Sequence, residues 1–332
     1  MTARPRHKGK APAHAEVPAA APPLWGLHKA ETLRDPLRVS EWIRSLIRMT
    51  SPHPAMTTVL DVMGRLQERP FRTNFVLLGE PGTGKEGLAR ALHQLTCSDG
   101  SLVRFDVAGF SDEDALAALA GTGGGGAAAA ARGGTLLIEE TAGMGPRTQA
   151  ALIRLLKTGR IDPRDDSSAR GHSNLEPSKG SRPPAKQPAE QGSSGFHAPR
   201  VCAIAMSDRD LAGEVRAGRF RHDLYWRLAR VVLTLPPLRE RKQDIAPAAI
   251  WMGNRILRAA GLGLELVTTD ELGRLSPTEC ARAVELRRDA VVALEEHDWL
   301  GNLRELETVL ERALLLYREG NTLDGKAVRA AR

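Results

Sequence analysis

The run Gly79-Glu80-Pro81-Gly82-Thr83-Gly84-Lys85 sets three glycines and a lysine between an apolar stretch, Phe75 to Leu78, and a segment of helical pattern, Lys85 to Leu95. A glycine-rich turn in that setting points backbone N–H groups and a helix N-terminus at phosphate oxygens, and the Lys85 ammonium adds positive charge for the outer phosphates. The chemistry is the holding of a nucleotide polyphosphate. The residue after the lysine is Glu86, where a Ser or Thr hydroxyl commonly reaches Mg2+.

A second set lies downstream. Gly133-Gly134-Thr135-Leu136-Leu137-Ile138-Glu139-Glu140 is an apolar strand ending in two acids. Beside a phosphate-binding loop, one such carboxylate can hold Mg2+ and the other can orient an attacking water. Without that loop, paired acids after a strand fit a solvated edge just as well. Arg221 and Arg227, within Gly218 to Leu228, are six residues apart, about one and two-thirds turns if both stand on one helix. Both can then reach a neighbouring molecule, where guanidinium groups neutralise charge in phosphoryl transfer; the plain alternative is a solubilising surface.

The elements that must position these residues alternate. Strands are expected at Phe75 to Leu78, Leu102 to Val107, Thr135 to Ile138, Val201 to Met206 and Val231 to Leu235. Helices are expected at Lys85 to Leu95, Asp112 to Ala120 and Pro146 to Lys157, with Val39 to Met49 and Ala55 to Leu66 docking ahead of them. Alternation of this kind implies a doubly wound parallel five-stranded sheet. After Asp244 the pattern is helical to the end, which predicts a smaller all-helical C-terminal domain. The expected division is a disordered Pro/Ala-rich basic tail over 1–35, an α/β nucleotide-binding domain over 36–243 and a helical lid over 244–332.

Two low-complexity stretches interrupt the core. Gly121 to Gly134 is almost wholly Gly and Ala, and 161–199 is rich in Ser, Pro, Gly, Lys and Asp; neither is expected to join a packed core, and the second reads as a disordered insertion.

A chain of 332 residues with 42% hydrophobic content can bury one sizeable core and a smaller satellite. The formal charge of +7 permits nucleic-acid contact without requiring it, and solvated basic surface is the simpler reading. Cys97, Cys202 and Cys280 show no CxxC spacing, so neither a disulfide framework nor a zinc site is expected, and a reducing cytoplasm fits. No run is long enough to span a membrane. The start, with Arg4, Arg6, Lys8 and Lys10, lacks an apolar signal region, and Pro12, Pro18, Pro22 and Pro23 oppose an amphipathic targeting helix.

The strings GEPGTGKEGLARALH, GGTLLIEE, SDRDLAGEVRAGRFRHDLYWRL, LPPLRER and DWLGNLRELETVLERA, in this order, closely resemble the AAA+ domain of sigma-54-dependent transcription activators, the bacterial enhancer-binding proteins. The resemblance covers about residues 50–325. It makes Glu86 unexceptional, because the family's P-loop ends in Lys-Glu. It implies that ATP is bound by Gly79, Glu80, Pro81, Gly82, Thr83, Gly84, Lys85 and Glu86. Glu139 would stand where the family has its Mg2+-binding Asp, and Glu140 would match its water-activating Glu. Arg221 and Arg227 would match arginine fingers that reach into the next subunit of a homo-oligomeric ring. Ser207 and Asp208 fall at a nucleotide-sensing Thr-Asn, Arg304 at the lid's sensor arginine, and Asp106 at an Asn that couples the γ-phosphate to movement.

Several of these are substitutions, and one working part is missing. The family's GAFTGA loop, which carries ATP-driven motion to the sigma factor, is matched here by Gly121-Thr122-Gly123-Gly124-Gly125-Gly126-Ala127, with no phenylalanine to touch a partner. No sensory domain is expected ahead of the core and no helix-turn-helix after the lid. The resemblance implies an ATP-binding, ATP-hydrolysing transcriptional regulator with altered or lost sigma-54 remodelling, with RNA polymerase or a sigma factor as partner. The alternative is an interaction protein whose assembly follows nucleotide with little turnover. A nucleic-acid module made of the basic tails ranks last, since Trp25 is the only aromatic in the N-terminal tail and stands apart from the basic cluster.

Overall fold

A computed structural model describes residues 51–121, 126–159, 161 and 201–332. The expected tail over 1–35, the helix Val39 to Met49, residues 122–125 of the glycine run and the insertion over 161–199, apart from Ile161, lie outside these residues. Among the described residues no helix is long and apolar enough to cross a membrane.

The first helix of the described residues is α1, Pro54–Glu68, whose Pro lies in its first turn and whose buried Met56, Val59, Met63 and Leu66 form one apolar stripe. Five strands follow: β1 Phe75–Leu78, β2 Leu102–Asp106, β3 Thr135–Glu139, β4 Cys202–Ser207 and β5 Val231–Thr234. They form one parallel sheet in the order β2-β3-β4-β1-β5, as the alternating pattern predicts. The helices between them are α2 Lys85–Cys97, α3 Asp112–Ala120, α4 Ala127–Ala130, α5 Pro146–Thr158, α6 Leu211–Arg216 and α7 His222–Leu228.

Burial alternates along the strands because successive side chains leave opposite faces. Val76, Leu136, Ile138, Ala203 and Ala205 join a core under α3, α5 and α7, while Phe75, Leu77, Leu137, Ile204 and Met206 join another under α1 and α2. Both faces are covered, which is why the strands read as continuous apolar runs.

The Gly/Ala stretch departs from expectation. Residues 127–130 are helical, and Ala128 and Ala131 are buried in the core that holds Phe105 and Leu119. Small size is what admits the chain there: a Cβ on Gly126 would stand 2.4 Å from the Gly121 nitrogen, and one on Gly134 would stand 2.1 Å from the Ser101 carbonyl oxygen.

The C-terminal part has its own core, built on α8 Ile245–Ala259, α11 Arg288–Glu295, α12 Asn302–Arg312 and α13 Gly325–Ala331, with Trp299 fully enclosed. Two single-turn helices, α9 Thr269–Leu272 and α10 Pro277–Cys280, each closed by a capping box, lie between α8 and α11. This lid is mainly helical as expected, but it is not all-helical. Three short strands, β6 Glu265–Thr268, β7 Ala283–Leu286 and β8 Thr322–Leu323, make a small parallel sheet beside the helices.

Candidate nucleotide site

Parallel pairing fixes where the chemistry can sit. Leu78 is in register with Ser207, and Asp106 with Glu139, so β1, β2, β3 and β4 end at one edge of the sheet. That edge is where open α/β sheets hold ligands. The P-loop leaves β1 there and turns into α2 through Gly79, Gly82 and Gly84 at φ 151°, 78° and 105°. Only glycine takes such angles without strain, and the approach is close as well: a Cβ on Gly82 would meet the Gly301 carbonyl oxygen at 2.2 Å.

Lys85 donates to the Glu80 carbonyl at 2.9 Å and also to the Gly79 carbonyl. Burial pulls its pKa down; Asp208, Glu140 and Glu139 act on it in the opposite sense, and Arg304 adds to the lowering. Four other sequence-designated residues thus lie within electrostatic reach of the Lys85 ammonium. Arg304 is exposed on α12, with its Cβ beside Gly82.

The two acids differ sharply. Glu140 is held in the left-handed region at φ 49°, a conformation that costs a non-glycine residue about 1–3 kcal/mol and is retained where surrounding structure imposes it. Glu139 is largely buried and ion-paired with Arg104 of the neighbouring strand, whose Nη2 donates to its Oε2 at 2.6 Å. Burial pushes the Glu139 carboxyl up, Arg104 draws it down, and Glu86 and Asp106 push it up again. Glu86 is itself engaged by Arg90 one turn along α2. Asp106 accepts from the Ala108 N–H at 2.9 Å. Among the described residues no group of three or more His, Cys, Asp or Glu forms a metal cluster. A single carboxylate completed by phosphate oxygens is nonetheless the usual way proteins hold Mg2+, and Glu139 fits that role in type and place.

Ser207 turns its hydroxyl back on its own chain, donating to the Arg209 carbonyl at 2.8 Å and accepting from the Arg209 N–H at 3.0 Å. Its backbone carbonyl accepts from the Gly79 N–H at 3.2 Å, so β4 supports the P-loop through main chain. Asp208 beside it is exposed.

The two arginines expected on one helix are not both there. Arg221 is the extended N-cap of α7, its backbone N–H held by Gln149 Oε1 at 2.8 Å and its guanidinium paired with Asp223 at 3.1 Å. Arg227 lies in the last turn, with its Nε buried and without a hydrogen-bond partner among the described residues. No hydrogen bond or ion pair among the described residues links either to the P-loop.

The residues that tie the P-loop to the lid and to the segment just before it carry no local motif. Glu80 receives both Nη atoms of Arg239, at 2.9 and 2.6 Å, and Asn302 Nδ2 at 3.2 Å. Arg239 is the chief cause that brings the Glu80 carboxyl down to about 2. Asn302, fully buried at φ 55°, also donates to Pro81 O at 3.0 Å and accepts from the Leu238 N–H at 2.7 Å. Buried Arg241 donates to Thr83 O at 2.8 Å, and the Leu303 N–H to Gly82 O at 2.9 Å. The signal lay in the strings LPPLRER and GNLREL, whose polar residues reach back to a loop far away in sequence.

A cleft opens between core and lid beside Thr83 and Gly84, walled by Met56, Val59, Leu88, Leu235 and Leu303. Arg241 Nε and Asp244 Oδ2 are buried there without hydrogen-bond partners among the described residues, the two side chains being ion-paired at 3.9 Å. An apolar slot with a few polar atoms suits a flat heteroaromatic base, and it adjoins the phosphate cradle.

The comparisons with known proteins agree with this fold. Residues 49–170 match the sigma-54 interaction domain and residues 268–331 the AAA+ ATPase lid domain. The response regulator protein FleR of Pseudomonas aeruginosa is 32% identical over 278 residues, covering 80% of this chain and 49% of that protein. The Nif-specific regulatory protein of Klebsiella pneumoniae is 29% identical over 286 residues, covering 83% of this chain and 45% of that protein. The chain spans about half the length of the curated relatives it matches. The crystal structure of NtrX from Brucella abortus in complex with ADP shares the fold, with TM-score 0.61 at 24% identity over 87% of this chain and 56% of that one.

Proposed function

This chain carries the AAA+ core of the sigma-54-dependent transcription activators, and from that premise we propose that it binds ATP with Mg2+, hydrolyses it between copies of itself and regulates transcription without standard sigma-54 remodelling. The observation that carries the reading is the meeting of Lys85, Glu139, Glu140, Asp208 and Arg304 around one P-loop that opens onto the cleft between core and lid.

In this reading the P-loop from Gly79 to Glu86 cradles the phosphates and the cleft takes the base. Glu139 would hold Mg2+ together with phosphate oxygens, and the metal would neutralise phosphate charge. Glu140 orients the attacking water. Arg221 and Arg227, without a hydrogen bond or ion pair to the P-loop among the described residues, serve a neighbouring copy in trans. Asp106, Ser207, Asp208 and Arg304 register the nucleotide state. RNA polymerase or a sigma factor is the partner class. The altered output rests on the stretch Gly121 to Ala127, which offers no phenylalanine.

The test is steady-state ATP hydrolysis against protein concentration, with expected turnover per subunit rising as copies associate. A rate per subunit independent of concentration would rule out catalysis in trans. ATP-dependent opening of a sigma-54 promoter complex should be absent, and robust opening would overturn that half of the reading.

One group of contacts favours the second reading, assembly with little turnover: Glu139 tied by Arg104, Glu86 by Arg90, and the Ser207 hydroxyl by its own backbone. Glu140→Ala in cells separates the two: function stays intact if assembly alone matters and is lost if turnover is needed.

A further inference from the structure

Cys97 and Cys202 are 105 residues apart in sequence, yet their sulfurs stand 3.2 Å apart and share a hydrogen bond. Cys97 closes α2 and Cys202 opens β4, so the pair sits at the edge of the sheet opposite the P-loop. Both are free and buried, at 2% and 1% exposure. The gap exceeds a sulfur–sulfur bond of about 2.05 Å by only about 1 Å, so joining them asks for little movement.

The two thiols bias each other's titration. The Cys202 thiol, with smaller help from the Thr135 and Thr96 hydroxyls and from Arg72, draws Cys97 down against the effect of burial. Cys202 is pushed up, by its bond to Cys97 first and by burial second. Thiolate character on one sulfur beside a protonated neighbour is the arrangement that peroxides oxidise to a bridge. Both sulfurs are buried, so an oxidant reaches them through local opening at the C-terminal end of α2, where the next residues, Ser98 and Asp99, are exposed.

We propose that Cys97 and Cys202 form a two-electron oxidisable dithiol that hydrogen peroxide or an organic hydroperoxide converts to a disulfide. The Cys97 thiolate attacks one peroxide oxygen, the O–O bond breaks, and Cys97 becomes a sulfenic acid while the departing hydroxide or alkoxide takes a proton. The Cys202 sulfur then attacks the Cys97 sulfur, the S–O bond breaks, and the leaving hydroxide departs as water with the proton of Cys202. The two sulfurs lose two electrons and the peroxide gains them. The bridge joins the far ends of two elements: α2, which begins at Lys85, and β4, which ends at Ser207 where it supports the Gly79 N–H. Oxidation therefore staples the floor of the P-loop without touching it. The proposal is independent of what the nucleotide site drives.

The test exposes the folded full-length chain to graded hydrogen peroxide, quenches by alkylation in denaturant, and reads intact mass, thiol count and a non-reducing peptide map. Partly exposed Cys280, which has no cysteine partner, is the internal comparison. The expected result is the joint loss of two of the three thiols, with two hydrogens lost, no oxygen gained, a Cys97–Cys202 cross-linked peptide, and full reversal by dithiothreitol. Cys202→Ser should instead leave Cys97 gaining oxygen, since its resolving partner is gone. Oxidation of Cys280 with both buried thiols still alkylatable would overturn the proposal, as would oxygen added to wild-type Cys97 without a bridge. The wild-type map decides the matter even where a variant folds poorly.

Discussion

Asn302 reaches from the lid to donate to the Glu80 carboxylate at 3.2 Å, making one buried amide the meeting point of lid and P-loop. The same side chain donates to Pro81 O and accepts from Leu238 N–H, so its removal strands one buried donor and two part-buried acceptors at once. Asn302→Ala should cost about 3 kcal/mol by urea denaturation. Asn302→Gly should cost less, because it relieves the left-handed backbone while losing the same bonds. Equal losses in the two variants would show that the hydrogen bonds alone decide the matter.

The latch should weaken in acid. Arg239 takes the Glu80 carboxyl from its ordinary 4.5 to about 2. A depressed carboxylate contributes stability that is fully present above the unfolded value and is lost as pH falls toward the folded one. The window is therefore between 4.5 and about 2. Both side chains are more than a third exposed, so the contribution is about 1 kcal/mol or less. Glu80→Gln should flatten this part of the stability–pH curve, and an unchanged slope would remove Glu80 from the account.

Arg104 compensates a buried charge. Glu139 is 15% exposed at its side chain and Arg104 37%, so deleting the cation leaves a carboxylate with burial and two acidic neighbours against it. Arg104→Leu should cost about 1–3 kcal/mol at neutral pH, less than a fully buried pair because of solvent at the arginine. The loss should shrink as pH falls, since burial already favours the protonated acid, and Arg104→Leu with Glu139→Gln should recover most of it. Denaturation of the three variants at two pH values checks the sign.

Arg227 separates binding from turnover. In the proposed function Arg227→Ala should lower turnover by about a thousandfold while leaving affinity for a fluorescent ATP analogue unchanged. Loss of binding in proportion to turnover would return this residue to a structural role in its own chain.

The sequence made the central sheet legible almost to the residue, because strands buried on both faces between helices leave long apolar runs, and β1 begins and ends where that pattern predicts. The lid sheet was hidden: β6 and β7 have four residues each and β8 two, too few to impose a period against the helical pattern around them. Composition misled at Ala128 and Ala131, since a run without large side chains can still be buried when neighbouring chain comes close. The P-loop and the paired acids were legible because their spacing is local. Asn302, Arg239 and Arg241 were not, because their partners Glu80, Pro81 and Thr83 lie some 160 to 220 residues away. The neighbouring thiols of Cys97 and Cys202 were invisible for the same reason.

The backbone at Glu140 sets opposing demands on one position. A glycine would settle into φ 49° without steric penalty, so Glu140→Gly should raise the unfolding midpoint while, in the proposed function, abolishing hydrolysis. Screens that reward thermal tolerance alone would drift toward that change and discard the carboxylate, whereas screens for turnover would keep the strained residue. The loop after β3 is a place where robustness and chemistry cannot both be maximised.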